Sequence, residues 1–153
     1  MEDATTDAIR LDWELFTLHK QCIAKLLTDL NIHFGQPPLL FTLKNMGACK
    51  QSDLAKALRV SPATIAVSLK RMEKSGFIKR ISNPNDLRSN RIELTEAGIN
   101  AADSAEKIIH TVIAQKFDGF TEEEYAQLMH FFHRMHQNLL DYKNKLDGTE
   151  DSI

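Results

Sequence analysis

Ser61, Pro62, Ala63 and Thr64 stand just ahead of Val67, Lys70 and Arg71. Small residues opening a helix, with cations further along it, suit contact with a polyanion. Ser61 can accept a backbone N–H as an N-cap, and Pro62 loses no needed donor at the first helical position. The positive helix end favours phosphate. Small side chains let a backbone enter the DNA major groove and let hydroxyls reach base edges or phosphates. Downstream, Asn83-Pro84-Asn85-Asp86 is turn chemistry, and Arg88 follows it. An arginine on such a loop can enter a narrow minor groove, where the negative potential is enhanced. Arg91 adds a further cation on the same arm.

The elements that must hold these residues are legible from punctuation and periodicity. Gln51–Leu58 reads as a short helix with Leu54, Ala55 and Leu58 inward. After the turn Leu58-Arg59-Val60, Ser61–Ser75 reads as a second helix, with Ile65, Leu69 and Met72 on its inner face. Thr64, Val67, Ser68 and Arg71 then point away, with Lys70 at the flank. Gly76 ends this helix. Phe77–Ser82 and Arg91–Leu94 read as two short strands. Helix, tight turn, helix and hairpin together make a winged helix-turn-helix.

The ends of the chain read as helices. Residues 8–30 repeat Ile9, Trp13, Phe16, Ile23, Leu27 and Leu30 at helical spacing, and Pro37-Pro38 opens a helix to about Met46. Thr95-Glu96-Ala97-Gly98 opens a long helix carrying Ile99, Ala102, Ala105, Ile109, Val112 and Ile113, which Gly119 breaks. Thr121-Glu122-Glu123-Glu124 is a capping box. The last helix then carries Tyr125, Leu128, Phe132, Met135, Leu139, Tyr142 and Leu146. The stripes of the first and last helices are too wide for isolated surface helices, and a second copy of the same helices supplies the missing surface across a two-fold axis. The expected fold class is mainly α with a small two-stranded β wing, a winged helix-turn-helix domain joined to a helical dimerisation domain. The expected segments are 1–34 and 98–153 for dimerisation and 35–97 for DNA.

Net charge first argues against a nucleic-acid partner: the 153 residues sum to −2. The distribution reverses that. Residues 59–91 hold eight Lys and Arg against two acids, a net +6, which leaves −8 for the remaining 120 residues. Residues 1–15 alone carry −4. One basic segment between acidic flanks points to local contact with a polyanion. No apolar run approaches the ~18 residues of a membrane span, so no membrane partner is expected. Two cysteines are too few for a disulfide framework, and the acidic N-terminus lacks a basic secretory start. The expected compartment is a reducing cytoplasm. There is no nucleophile elbow, phosphate-binding glycine loop, His-Glu-x-x-His or paired cysteine cluster, so neither an enzyme nor a cofactor is expected.

The run from Gln51 to Arg80, followed by Asp86-Leu-Arg-Ser and Ile92-Glu-Leu-Thr-Glu-Ala-Gly98, resembles the MarR family of bacterial and archaeal transcriptional regulators. The resemblance covers residues 30–100 closely. It implies a cytoplasmic homodimer, built on the first, fifth and sixth helices, on a pseudo-palindromic double-stranded operator, most often as a ligand-responsive repressor. Carried over by position, Ser61, Pro62, Ala63, Thr64, Val67 and Lys70 would face the major groove, Arg88 the minor groove, and Asp86 would hold the wing arginines. Arg71 and Arg91 complete the expected DNA-binding set. The family commonly answers small molecules, often aromatic acids, where the dimer and DNA-binding regions meet. The candidates here are Trp13, Phe16, His19, Phe34, Phe41 and Met72.

Two other sensing chemistries have candidate residues in the chain. Cys22 is expected to be a buried, inert thiol rather than an oxidation sensor. His130, His133 and His136 drift off the apolar stripe by ~60° each step, which suits one metal ion poorly, so no metal is expected. A metal- or redox-sensing regulator of the same fold, or a protein-interaction module with a degenerate helix-turn-helix, remain the alternatives.

Overall fold

Prolines, caps and polar turns divide the chain into six helices and three short strands among the described residues. The computed structural model describes residues 2–83 and 86–148, with side chains for 6–81 and 91–148. The order is α1 (Glu2–Thr28), α2 (Pro37–Met46), β1 (Cys49–Lys50), α3 (Gln51–Leu58), α4 (Pro62–Lys74), β2 (Ile78–Asn83), β3 (Asp86–Leu94), α5 (Glu96–Lys116) and α6 (Glu122–Asp147). Helices α2, α3 and α4 lie where proline and serine punctuation predicts. Helix α1 begins well before residue 8 and ends at Thr28. Its first turns hold polar residues, which carry no apolar period, and Asn31 turns the chain at φ +57°, a conformation asparagine tolerates.

The sheet is antiparallel in the order β1-β3-β2. The expected hairpin is present, and β1 joins its outer side by pairing Cys49 with Ile92 and Lys50 with Arg91. Strand β3 also starts five residues earlier than alternation suggests. Across the hairpin Ile78 faces Leu94, Arg80 faces Ile92 and Ile81 faces Arg91, then the register shifts so that Asn83 faces Asp86. Ser82 alone therefore stands against residues 87–90, a bulged stretch of the kind that re-aims an arm.

The chain divides into two compact units, Met1–Ile113 and Ala114–Ile153. In the first, Leu27, Leu40, Leu43, Leu54, Ile65, Leu69, Met72 and Ile92 are fully buried, drawing on α1 to α4 and β3. Leu54, Ala55, Ile65, Leu69 and Met72 face inward as their spacing predicts. Of the α1 stripe only Ile23 and Leu27 join this core; Ile9, Trp13, Phe16 and Leu30 are exposed. In the second unit, Phe117 packs edge-on against Phe120 and Tyr125 at centroid distances of 5.8 and 5.2 Å. The predicted capping box is formed: Thr121 Oγ1 accepts from the Glu124 N–H, and the Glu124 carboxylate accepts from the Thr121 N–H. None of the residues of α6 is buried.

Cys22 does not sit where it was expected. Cys22 is exposed and Cys49 is the buried one. Successive residues on a helix turn by ~100°, so Cys22 leaves the face of Ile23. It falls in line with Leu11, Leu15, Leu18 and Leu26, a second apolar row that is also exposed. Burial pushes the Cys49 thiol up from its ordinary range, the Asp53 carboxylate pushes the same way, and Arg91 opposes them. The raised value means that the contribution of this thiol to stability is complete below the range of an unfolded thiol and is lost as the pH climbs from there through the raised value. Because the thiolate is the reactive form, Cys49 is expected to resist a thiol reagent at pH 8 until the protein unfolds. Pulse labelling followed by peptide mass mapping checks this; native labelling as fast as in urea would contradict it.

Candidate nucleic-acid interface

The turn between α3 and α4 is set by local hydrogen bonds. Arg59 adopts a left-handed conformation at φ +53°, and the Val60 N–H donates to the Ala55 carbonyl at 3.1 Å. That is the closing bond of a Schellman turn. Ser61 then caps α4: its Oγ accepts from the Thr64 N–H at 3.1 Å, with Pro62 at the first helical position. Ser61 Oγ also lies 2.8 Å from Thr64 Oγ1. The two hydroxyls are thus partly spent on each other and on the cap.

Ile65, Leu69 and Met72 anchor α4 in the core, so its outer face is fixed by helical geometry. Pro62, Ala63, Thr64, Val67, Lys70 and Arg71 are all exposed, as expected, while Ser68 is half-buried. Lys74 lies one turn beyond Lys70 on that face and is exposed too. It was not among the expected contacts, although the i, i+4 spacing from Lys70 is visible in the sequence.

The hairpin stands on a tight junction behind α4. The Thr95 N–H donates to the Phe77 carbonyl at 3.0 Å, and Thr95 Oγ1 donates to the Gly76 carbonyl at 2.6 Å while accepting the Gly98 N–H at 3.1 Å. A side chain on Gly98 would meet the Phe77 oxygen at 1.9 Å. The Leu-Thr-x-x-Gly run is therefore a joint that holds α4, the hairpin and α5 together.

The basic segment is not uniformly free. Lys79 pairs with Glu93 across the strands at 2.6 Å, and Arg80 with Glu73 on α4 at 3.3 Å. Lys70, Arg71, Lys74 and Arg91 are exposed and have no ion pair among the described residues. Lys50, the strand partner of Arg91, is exposed as well. Its place beside Arg91 depends on β1, which had no sequence signal. Asp86 and Arg88 lie on β3 by backbone, Arg88 in the bulged stretch; their side chains lie outside the described residues.

The candidate effector residues are not gathered at one place. Trp13 and Phe16 are exposed, with ring centroids 6.2 Å apart. His19 is half-buried, and its Nδ1 is buried without a hydrogen-bond partner among the described residues. Phe34 is exposed under the Lys20 ammonium, 5.5 Å from the ring centre. Phe41 packs against the core, and Met72 is fully buried within it. A hollow of about 400 Å³ takes in Trp13, and a separate one of about 420 Å³ takes in Phe34. Among the described residues no three His, Cys, Asp or Glu side chains form a metal-binding group, and no helix is long and apolar enough to cross a membrane.

Comparison with known proteins places this geometry. The MarR family model matches residues 36–89. The HTH-type transcriptional regulator YwhA of Bacillus subtilis is 35% identical over 78 residues, which are 51% of this chain and 56% of that protein. The chain thus spans about half the length of the curated relative it matches. YusO of Bacillus subtilis superposes with a TM-score of 0.75 at 24% identity, covering 90% of this chain and 98% of that one. MarR of E. coli in its apo form gives 0.67 at 21%, covering 82% and 93%. A mutant of the same E. coli protein, complexed with operator DNA, gives 0.66 at 21%, covering 82% and 91%. Residues 36–89 thus match the MarR family model, and over 82–90% of its length the chain has the fold of E. coli MarR and of YusO.

Proposed function

We propose that this chain is a DNA-binding transcriptional regulator that acts as a homodimer on a pseudo-palindromic operator, as a repressor released by a small aromatic acid. The observation that carries the reading is the outer face of α4: a serine-capped helix with small exposed residues in its first two turns and, beyond them, Lys70, Arg71 and Lys74, which have no ion pair among the described residues. Cap, small residues and cations together suit entry of a helix into a major groove. The operator complex of E. coli MarR, a protein of the same fold, supports it. Residues 35–97 make the DNA contacts, with Ser61, Pro62, Ala63, Thr64, Val67, Lys70, Arg71 and Arg91 on the duplex, Arg88 in the minor groove and Asp86 orienting the wing. Residues 1–34 and 98–153 form the dimer, which sets half-sites about one turn, or ~34 Å, apart. The acidic remainder of the chain keeps the dimer region off the duplex. The exposed Trp13 and Phe16 rings and the buried His19 nitrogen, which has no partner among the described residues, support an effector region near α1.

Arg88→Ala is expected to weaken operator binding by ~1–3 kcal/mol, and the affinity of the parent protein is expected to fall steeply with salt. Anisotropy titrations of labelled operator at several salt concentrations measure both. Full affinity in the variant removes the wing contact, and a flat salt response removes the phosphate contacts.

A further inference from the structure

On the surface proposed to enter the major groove, the side chains that point away from the core in the first two turns of α4 are apolar. Ile65, Leu69 and Met72 define the inner face of α4. At ~100° per residue, the line opposite them runs Ala63, Val67, Lys70 and Lys74. Val67 is 56% exposed. Ala66 is also exposed, on the flank of that line. From Pro62 to Ser68 there is no Arg, Lys, Asn or Gln. Those are the side chains that read guanine and adenine through paired hydrogen bonds. The hydroxyls at the leading end are partly engaged already, since Ser61 Oγ accepts the Thr64 N–H and lies 2.8 Å from Thr64 Oγ1. The first cations, Lys70 and Arg71, come in the third turn.

Only one group in the major groove answers an apolar surface, the 5-methyl of thymine. We infer that α4 reads its half-site chiefly through thymine methyl groups packed against Val67 and Ala63, with Lys70 and Arg71 serving the phosphates and flanking bases. The inference rests on the DNA-binding reading above and adds the base chemistry it uses. The geometry fits: Val67 sits one turn from Ala63 on the same face, so their methyl groups form a continuous apolar strip near the leading end of the helix. The charge pattern fits too, since cations that begin one turn later hold the backbone while the strip meets the base edges.

The test separates the base chemistry from DNA binding itself. Full-length protein is first used to select duplexes from a random pool, and the half-site is defined from them. Each thymine is then replaced in turn by deoxyuridine, which removes the methyl and leaves every hydrogen-bonding group in place. At one or two thymines per half-site the exchange is expected to weaken binding by about 3- to 10-fold, the effect of one buried methyl. Val67→Ala, at an exposed position that leaves the core intact, is expected to weaken binding to the thymine operator by a similar factor and to abolish the difference between thymine and deoxyuridine there. If a defined operator is bound but no exchange changes affinity by as much as about 2-fold, or if Val67→Ala keeps the full deoxyuridine effect, methyl reading is wrong and DNA binding stands. Selection of no sequence at all overturns both.

Discussion

Replacing Gly98 by alanine is expected to destabilise the protein by about 1–3 kcal/mol, against the usual sign of that substitution. Glycine within a helix normally costs about 0.5–1 kcal/mol relative to alanine, so Gly→Ala is ordinarily a gain. At Gly98, in the first turn of α5, the added carbon would stand 1.9 Å from the Phe77 oxygen, 2.9 Å from the Phe77 carbonyl carbon and 3.1 Å from Leu94 Cδ2. The nearest obstacle is backbone, and it is pinned from both sides. The Phe77 oxygen accepts the Thr95 N–H, and the Phe77 N–H donates to Met72 at the end of α4 at 2.9 Å. Moving Phe77 therefore strains α4, the root of β2 and the cap of α5 together. Gly35→Ala is the control, because nothing lies within 4 Å of a carbon added there. It is expected to be neutral or stabilising by about 0.4–1 kcal/mol. Urea midpoints for the two variants decide the matter: opposite signs support the joint, and a stabilised Gly98→Ala protein would remove it. Operator affinity measured well below the unfolding transition adds a second readout, since the same joint sets the hairpin against α4.

That joint also shows where sequence reasoning reaches and where it stops. The Thr-Glu-Ala-Gly run was legible as a helix start because threonine caps a helix end. The reason for glycine three residues later lies in Phe77, some twenty positions upstream, and only folding brings the two together. The same division holds elsewhere. Helix α4 was legible in full, since Ser61, Pro62 and the Ile65–Leu69–Met72 row each have a local physical meaning. Strand β1 was not, because Cys49–Lys50 is too short to alternate and exists only by pairing with Ile92 and Arg91. The length of β3 escaped for a related reason: residues 86–90 alternate nothing, and their ladder follows from the register shift opposite Ser82. Cys22 was misplaced because a free cysteine is usually a buried one, whereas this one stands on a row of α1 that is exposed. The helix carries a second row, and the chain's own core covers little of either. On the candidate interface, residue types found the cations, while the structure showed that Lys79 and Arg80 are held by Glu93 and Glu73.

The uncovered rows lead to the second large effect, on assembly. Helix α6 runs for 26 residues without one buried side chain, and Tyr125, Phe132, Met135, Leu139 and Tyr142 repeat along a single face of it, all exposed. Helix α1 separately exposes Trp13 and Phe16 beside Leu11, Leu15 and Leu18. Monomers rarely leave such patches open beyond a few hundred Å², and each large apolar side chain removed from water contributes about 1.5–3 kcal/mol. A two-fold interface uses the same patch on both copies, so one substitution acts twice. Leu139, 70% exposed and the most open position of the α6 row, is the position to change. Leu139→Glu keeps a good helix former and sets two carboxylates into the apolar face. Light scattering at micromolar concentration is expected to give twice 17.4 kDa for the parent and a single chain's 17.4 kDa for the variant, with helix content unchanged by circular dichroism. Operator binding is expected to fall by ~100-fold or more, because a monomer loses the second half-site and with it the gain from linked binding. A parent protein at single-chain mass would end the dimer reading. A variant that stays dimeric with full affinity would move the interface away from this face of α6. A monomeric variant that still binds the operator as tightly as the parent would show that one α4 and one wing suffice, and the two-fold operator would lose its reason.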